Sequence, residues 1–205
     1  HPYTRALLDA VPAEHARGTR LSPERNTVAA PPRPGADSPV VLQATQLGKR
    51  YVGPDQQSRQ VVDDVSFELR SGRTLGIVGE SGSGKTTVAR IVLGLLEPDA
   101  GQVQFLDQPW SGTGHARVQE KHRRLYRRDI SVIYQDPLSS FDPRWSVGQI
   151  LADALDVAGI TPDQQPARIA QLLDQVRLPK ELAVRRPLQL SGGQRQRVAI
   201  ARAIA

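Results

Sequence analysis

Apolar and polar positions along the chain fall into two regimes that meet near residue 40. From Pro12 to Pro39 the few apolar residues are scattered among Pro23, Pro31, Pro32, Pro34 and Pro39, with glycine, serine and arginine between them and no aromatic side chain. Such a stretch cannot bury enough apolar surface to offset its ordering entropy, so residues 13–39 read as a disordered linker. Ahead of it, His1 to Val11 carries apolar Leu7 and Leu8 and reads as a short helix or a docked tail. After Val40 the pattern becomes periodic. Val40 to Ala44 and Val65 to Leu69 are predicted strands, the second with Val65, Phe67 and Leu69 on one face. Thr74 to Val78 is an apolar run entering a glycine-rich turn, the pattern of a buried parallel strand. Thr86 to Leu96 has helical spacing and stops before Glu97-Pro98-Asp99. Gln102 to Leu106 and Ile130 to Tyr134 are predicted strands; residues 147–157, 167–176 and 194–205 are predicted helices. Strands alternating with helices imply an α/β domain over residues 40–205 with a largely parallel sheet.

Composition narrows this only a little. A chain of 205 residues has room for one domain with a substantial core, and 39% hydrophobic with 23% charged residues is an ordinary globular balance. No run approaches the roughly 20 apolar residues that cross a bilayer, and no signal-peptide pattern opens the chain, so a membrane role has to come through partners. The absence of cysteine excludes disulfides and thiolate metal sites and leaves the redox compartment open. There is no methionine and the sequence begins at His1, which reads as a piece of a longer protein.

Charge raises one alternative. The net charge is +6, and Arg117, Lys121, Arg123, Arg124, Arg127 and Arg128 crowd one short segment. Clustered cations suit a nucleic-acid backbone. They equally suit a solvated helix face with Val118, Leu125 and Tyr126 turned inward. Aromatic side chains for base stacking are nearly absent there, which favours the solvated face and no nucleic-acid partner.

The chemistry sits in Gly79-Glu80-Ser81-Gly82-Ser83-Gly84-Lys85-Thr86, which fits GxxxxGK[ST] in full, between an apolar run and a helix start. The glycines let the backbone curl so that successive N–H groups face phosphate oxygens, and the helix N-terminus adds partial positive charge. Lys85 would reach the β- and γ-phosphates of ATP and the Thr86 hydroxyl would ligate Mg²⁺. Downstream, Ser191 can cap a helix whose first turn contains Gly192 and Gly193, exposing N–H groups to an anion.

The phosphate loop together with Leu190-Ser191-Gly192-Gly193-Gln194 and the following Arg195 to Ala203 resembles the nucleotide-binding domain of ABC ATPases over residues 40–205. That resemblance implies a P-loop NTPase fold with a mixed sheet, an antiparallel β subdomain and a helical subdomain. It also implies that two such domains meet head to tail, so that Ser191, Gly192, Gly193 and Gln194 cap a nucleotide held mainly by the partner. Tyr51 matches the aromatic that stacks on adenine, and Thr87 follows Thr86 in the nucleotide contact. Gln135 matches the glutamine that contacts Mg²⁺ and the attacking water and senses the transmembrane partner; with Lys85 it makes up the expected catalytic pair. Tyr134-Gln135-Asp136-Pro137-Leu138-Ser139-Ser140-Phe141-Asp142-Pro143-Arg144 is similar to this segment in oligopeptide, dipeptide and nickel importers, with Phe141 in place of a leucine. His1 to Leu8 is similar to a stretch that those subunits carry after their catalytic core. Residues 1–12 therefore read as the tail of a preceding ATPase domain in a fused protein.

The implied function is the ATP-binding subunit of an ABC importer, driving peptide uptake from the cytoplasmic face of the membrane. Its implied partners are a second ATPase domain, transmembrane permease subunits and, indirectly, a periplasmic or lipoprotein solute-binding protein. The alternatives are a soluble ABC ATPase acting on nucleic acid or ribosomes, or a non-catalytic fragment. The family's strand ending in Asp-Glu and its later histidine lie outside the 205 residues. His115 and His122 precede the signature and cannot replace that histidine. A lost central strand with about five buried apolar side chains would forfeit roughly 10 kcal/mol, comparable with a whole domain's stability. The chain alone is therefore expected to aggregate or stay molten and not to hydrolyse ATP.

Overall fold

The structure, a computed structural model, describes residues 38–205 together with His1, Thr4 and Gly35. The expected N-terminal tail and linker lie outside the described residues. The domain begins where the apolar pattern does, with strand β1 at Val40–Val52, which pairs antiparallel with β2, Ser58–Arg70. Both run much further than the apolar stretches that predicted them. The extension is the polar hairpin end, where Tyr51 faces Arg59 and Val52 faces Ser58. The turn is closed by a bond from the Gly53 N–H to the Gln57 carbonyl, 2.9 Å.

Helix α1, Lys85–Val92, follows, then β3, Ala100–Phe105, and β4, Gln108–Gly112. The sheet order is β2-β1-β3-β4 and every pairing is antiparallel. Strand β4 has no precedent in the sequence reading. Its hairpin turns at Leu106 and Asp107, both at positive φ (50° and 59°), without the Asn-Gly or Asp-Gly pair that usually announces a two-residue turn. Helix α1 ends earlier than predicted because Gly94, at φ 66°, stops it; the Gly94 and Leu95 N–H groups bond to the Ile91 and Arg90 carbonyls.

Residues 74–78 and 130–134 are not strands, and no parallel pairing is present among the described residues. A parallel sheet needs cover on both faces and more than two short members to survive in water. The described residues supply only these two candidates. Their apolar side chains stay open: Leu75, Ile77, Ile133 and Tyr134 are exposed, and Val78 is 93% exposed.

Two apolar clusters organise the rest. The first packs Leu42, Ala44, Leu47, Val62, Val103, Phe105 and Trp110 of the sheet against Val88 and Ile91 of α1. The second joins three helices: α3, Val147–Val157; α4, Gln165–Gln175; and α5, Gly192–Ala203. Its centre is Val147, Leu151, Leu155, Leu172, Leu173 and Val198, all fully buried. This gives the antiparallel and helical parts of the expected mixed fold.

The basic segment breaks the expected face. It contains one α-helical turn, α2, Glu120–Arg123, and runs into a 3-10 turn at Arg127–Asp129. Arg123 is buried, whereas Leu125, expected inside, is 71% exposed; Tyr126 does pack on the first cluster. The reason is polar. Arg127 Nη1 donates to the Leu93 carbonyl (2.6 Å), Trp110 Nε1 to the Val92 carbonyl (2.7 Å), and Arg123 Nη1 to the Trp110 carbonyl (3.2 Å). Glu120 bridges the two arginines at 2.9 Å each, and Arg127 lies 5.1 Å from the centre of the Trp110 ring. The last carbonyls of α1 are orphans of the helix, and cations are favoured beside them. Arg127 and the Trp110 indole satisfy that end while Arg123 braces the Trp110 carbonyl; turning Leu125 inward would satisfy none of these groups.

Candidate functional site

The phosphate-type loop is built by backbone alone. Gly82 and Gly84 have φ 84° and 90°, conformations that other residues rarely adopt. Gly84 is the N-cap of α1 and supplies no side-chain acceptor, so the first N–H groups of that helix are left to an external acceptor. A methyl group at Gly84 would stand 2.5 Å from the Val61 carbonyl oxygen. That contact has a cause in the sheet: β1 and β2 slip register between Lys49↔Val62 and Arg50↔Gln60, leaving Val61 as the extra residue of a bulge. The bulge presses β2 against the start of α1, and only glycine fits between.

Lys85 folds back over the loop. Its Nζ donates to the Glu80 carbonyl (2.6 Å) and the Gly79 carbonyl (2.9 Å), with the Ser83 hydroxyl at 3.4 Å. The ammonium therefore stands at the centre of a ring of backbone groups. Glu80, Ser81, Gly82 and Ser83 are exposed, as is Thr86, while Thr87 is half-buried. The carbonyls occupy the ammonium in place of an anionic oxygen, and no carboxylate side chain among the described residues bonds to Lys85.

Tyr51 is exposed near the tip of the hairpin whose bulge buttresses this loop, two residues along β2 from Val61 through its partner Arg59. The structure thus puts an aromatic face on the element that packs against the loop. Gln135 is exposed, between the apolar 130–134 segment and a short 3-10 turn at Leu138–Ser140. The turn is fixed by Asp136, whose Oδ1 accepts from the Leu138 N–H, and by the Ser139 and Ser140 hydroxyls donating to the Asp136 and Pro137 carbonyls.

The signature segment opens α5 as the sequence implies. Ser191 Oγ accepts from the Gln194 N–H at 3.3 Å, and Gln194 Oε1 accepts from the Ser191 N–H at 2.9 Å, a reciprocal capping box. Ser191, Gly192 and Gly193 are exposed, and a Cβ on either glycine would meet nothing within 4 Å. Internal packing therefore does not demand these glycines, although each weakens a helix by up to about 1 kcal/mol relative to alanine. No hydrogen bond or ion pair joins this segment to the phosphate-type loop among the described residues.

Sequence reasoning missed the supports of the loop: the Val61 bulge and the Trp110, Arg123 and Arg127 cap on α1. The bulge leaves no compositional mark. The cap was visible only as excess charge.

The model of the ABC transporter family matches residues 62–205. The chain is 43% identical over 182 residues to the oligopeptide transport ATP-binding protein OppD of Mycobacterium tuberculosis, covering 84% of this chain and 29% of that protein. It is 40% identical over 223 aligned residues to the glutathione import ATP-binding protein GsiA of Escherichia coli, covering 100% of this chain and 35% of that one. The chain thus spans about a third of the length of these curated relatives. Among solved structures, a bacterial ABC transporter cassette determined as a dimer superposes with a TM-score of 0.68 at 26% identity, over 80% of this chain and 69% of that one. A post-hydrolysis dimer of that cassette with ADP and Pi gives the same figures.

Proposed function

The chain belongs to the ABC transporter family, and from that premise we propose that it is the nucleotide-binding part of an importer ATPase that couples ATP binding and hydrolysis to peptide uptake. The observation that carries the nucleotide reading is the loop: a glycine N-cap without a side-chain acceptor, and Lys85 centred among backbone carbonyls. The phosphates of ATP replace those carbonyls around the ammonium and receive the free N–H groups of α1. Tyr51 stacks on the base from the hairpin. The peptide class follows from the relatives, whose names specify oligopeptide and glutathione, a tripeptide-sized solute.

Thr86 and Gln135 supply a hydroxyl and an amide oxygen, hard donors of the kind Mg²⁺ accepts alongside phosphate oxygens and water. Both side chains are exposed. Bound there, the ion would neutralise charge developing on the γ-phosphate. Gln135 orients the attacking water, and Lys85 holds the transferred phosphoryl group.

The open glycines of α5 give the second half of the site. Gly192 and Gly193 leave room for an anion to approach the first N–H groups of α5 from outside the chain, so Ser191 to Gln194 caps the nucleotide held by a second ATPase domain. Permease subunits and, through them, a solute-binding protein complete the assembly at the cytoplasmic face of the membrane. No helix of the described residues is long and apolar enough to cross a membrane. The test is nucleotide titration with a fluorescent ATP analogue followed by uptake of labelled glutathione or tetrapeptide in vesicles. Saturable binding lost in Lys85→Ala, with uptake that requires ATP, supports the reading; binding indifferent to Lys85→Ala refutes it.

A further inference from the structure

The C-terminal half of α5 makes a contact that neither nucleotide binding nor capping uses. Arg202 Nη1 donates to the Ser140 carbonyl (2.9 Å), and Nη2 meets the Ser140 hydroxyl (3.1 Å). The same guanidinium lies 5.1 Å from the centre of the Phe141 ring. Phe141 is buried in the helical cluster. The aromatic therefore offers Arg202 a π face that leucine lacks. Asp153 adds an attractive charge to the same guanidinium, whose direct contacts in this segment are Ser140 and Phe141.

These contacts are specific to arginine. A planar guanidinium can donate two bonds from one edge while stacking a face on a ring; an ammonium cannot do both. Burial pushes the Arg202 pKa down, the mark of a cation taken partly out of water for these partners. Ser191 stands eleven residues earlier on the same helix. At 1.5 Å per residue, α5 is a rod of roughly 16 Å with the capping serine at one end and the Gln135 segment pinned near the other.

We propose that Arg202 is a positioning residue that fixes the Tyr134–Phe141 segment to the signature helix through Ser140 and Phe141, so that Gln135 and Ser191 move as one body. The proposal rests on the ATPase reading above and deepens it. A displacement of the Gln135 segment by the membrane subunits is carried along α5 to the residues that cap the partner's nucleotide. Phosphate binding is untouched, because the loop leads into α1 and Tyr51 lies on the β1–β2 hairpin, elements that pack in the other apolar cluster.

The test uses the assembled transporter that carries this chain, with Arg202→Lys, Arg202→Met and Phe141→Leu. Steady-state ATP hydrolysis gives kcat and KM, and hydrogen exchange gives the protection of residues 134–141. The two Arg202 variants should lower kcat by roughly 2- to 30-fold, the range of coupling-residue substitutions, with KM for ATP within about twofold of the parent. Exchange at 134–141 should quicken while residues 147–157 are unchanged. Phe141→Leu should give a smaller fall that vanishes in the Arg202→Met background. A kcat equal to the parent's in all three variants overturns the proposal, as does a loss that resides in KM. Should Arg202→Met fail to fold, Arg202→Lys and Phe141→Leu still decide it. Failure of the ATPase reading looks different: the parent itself would not hydrolyse ATP, and unchanged exchange at 134–141 in the variants would then refute the positioning role independently.

Discussion

Replacing Gly193 with alanine should make the protein more stable and less active, and both halves follow from the geometry. Gly193 sits in the first turn of α5, and a Cβ built there meets nothing within 4 Å. Its φ lies outside the left-handed range, so alanine adopts it without strain. Alanine in place of glycine is worth about 1 kcal/mol in a helix interior, and about half of that is a fair expectation for a first turn. For a domain of this size the gain raises Tm by roughly 1–3 °C. The same methyl group occupies the space through which an anion reaches the N–H groups of the turn. Losing one such donor to a developing phosphoryl charge costs about 10²-fold in kcat by analogy with oxyanion sites. Differential scanning fluorimetry and ATP hydrolysis on one preparation of the assembled ATPase check both. A Tm that falls by several degrees would mean that something fills the space in solution and that the glycine is structural. An unchanged hydrolysis rate would mean that nothing approaches that face, and the head-to-tail reading would fail.

Gly84→Ala should abolish nucleotide binding measured by fluorescence titration, since it combines φ 90° with a 2.5 Å approach to the Val61 carbonyl; left-handed strain alone is about 1–2 kcal/mol. Trp110→Phe keeps the ring but orphans the Val92 carbonyl, and should cost about 1–2 kcal/mol in urea denaturation. Glu120, held at about 2 by bonds from Arg127 and then Arg123 against an ordinary 4.5, contributes stability that is present above pH 4.5 and is lost as pH falls toward 2. Glu120→Gln should therefore flatten the fall in Tm over that window, and an unchanged slope would show the bridge is not maintained in solution. The open apolar segments predict that residues 38–205 alone bind a hydrophobic dye and self-associate in light scattering; a monodisperse, dye-silent sample would contradict the exposure of Val78 and its neighbours.

What was legible in the sequence was what local chemistry dictates. The phosphate-type loop and the Ser191 cap are short-range devices whose residues define their own geometry. The helices at 147–157 and 192–203 follow from apolar spacing and a capping serine. Strands were read less well because pairing is decided elsewhere. The hairpin end of β1 and β2 is polar and so gave no apolar signal, and β4 turns on Leu106-Asp107 without glycine. Residues 74–78 and 130–134 have strand-like composition, but neither pairs with a strand among the described residues. The charge run failed differently: side-chain type suggested which residues face water, whereas the unsatisfied carbonyls of α1 decided it.

The two apolar clusters do not interleave along the chain: the first draws on residues 42–130 and the second on 141–205, with Gln135 between them. During synthesis the sheet cluster can therefore close before the last helix exists. About 70 residues separate Ile130 from Ala201, which at typical elongation rates of roughly 5–20 residues per second is several seconds. A nascent chain would thus present a formed phosphate-type loop to cellular ATP while its signature helix is still being translated. Nucleotide can then act as a ligand for a half-made protein, steadying the first cluster until the second arrives.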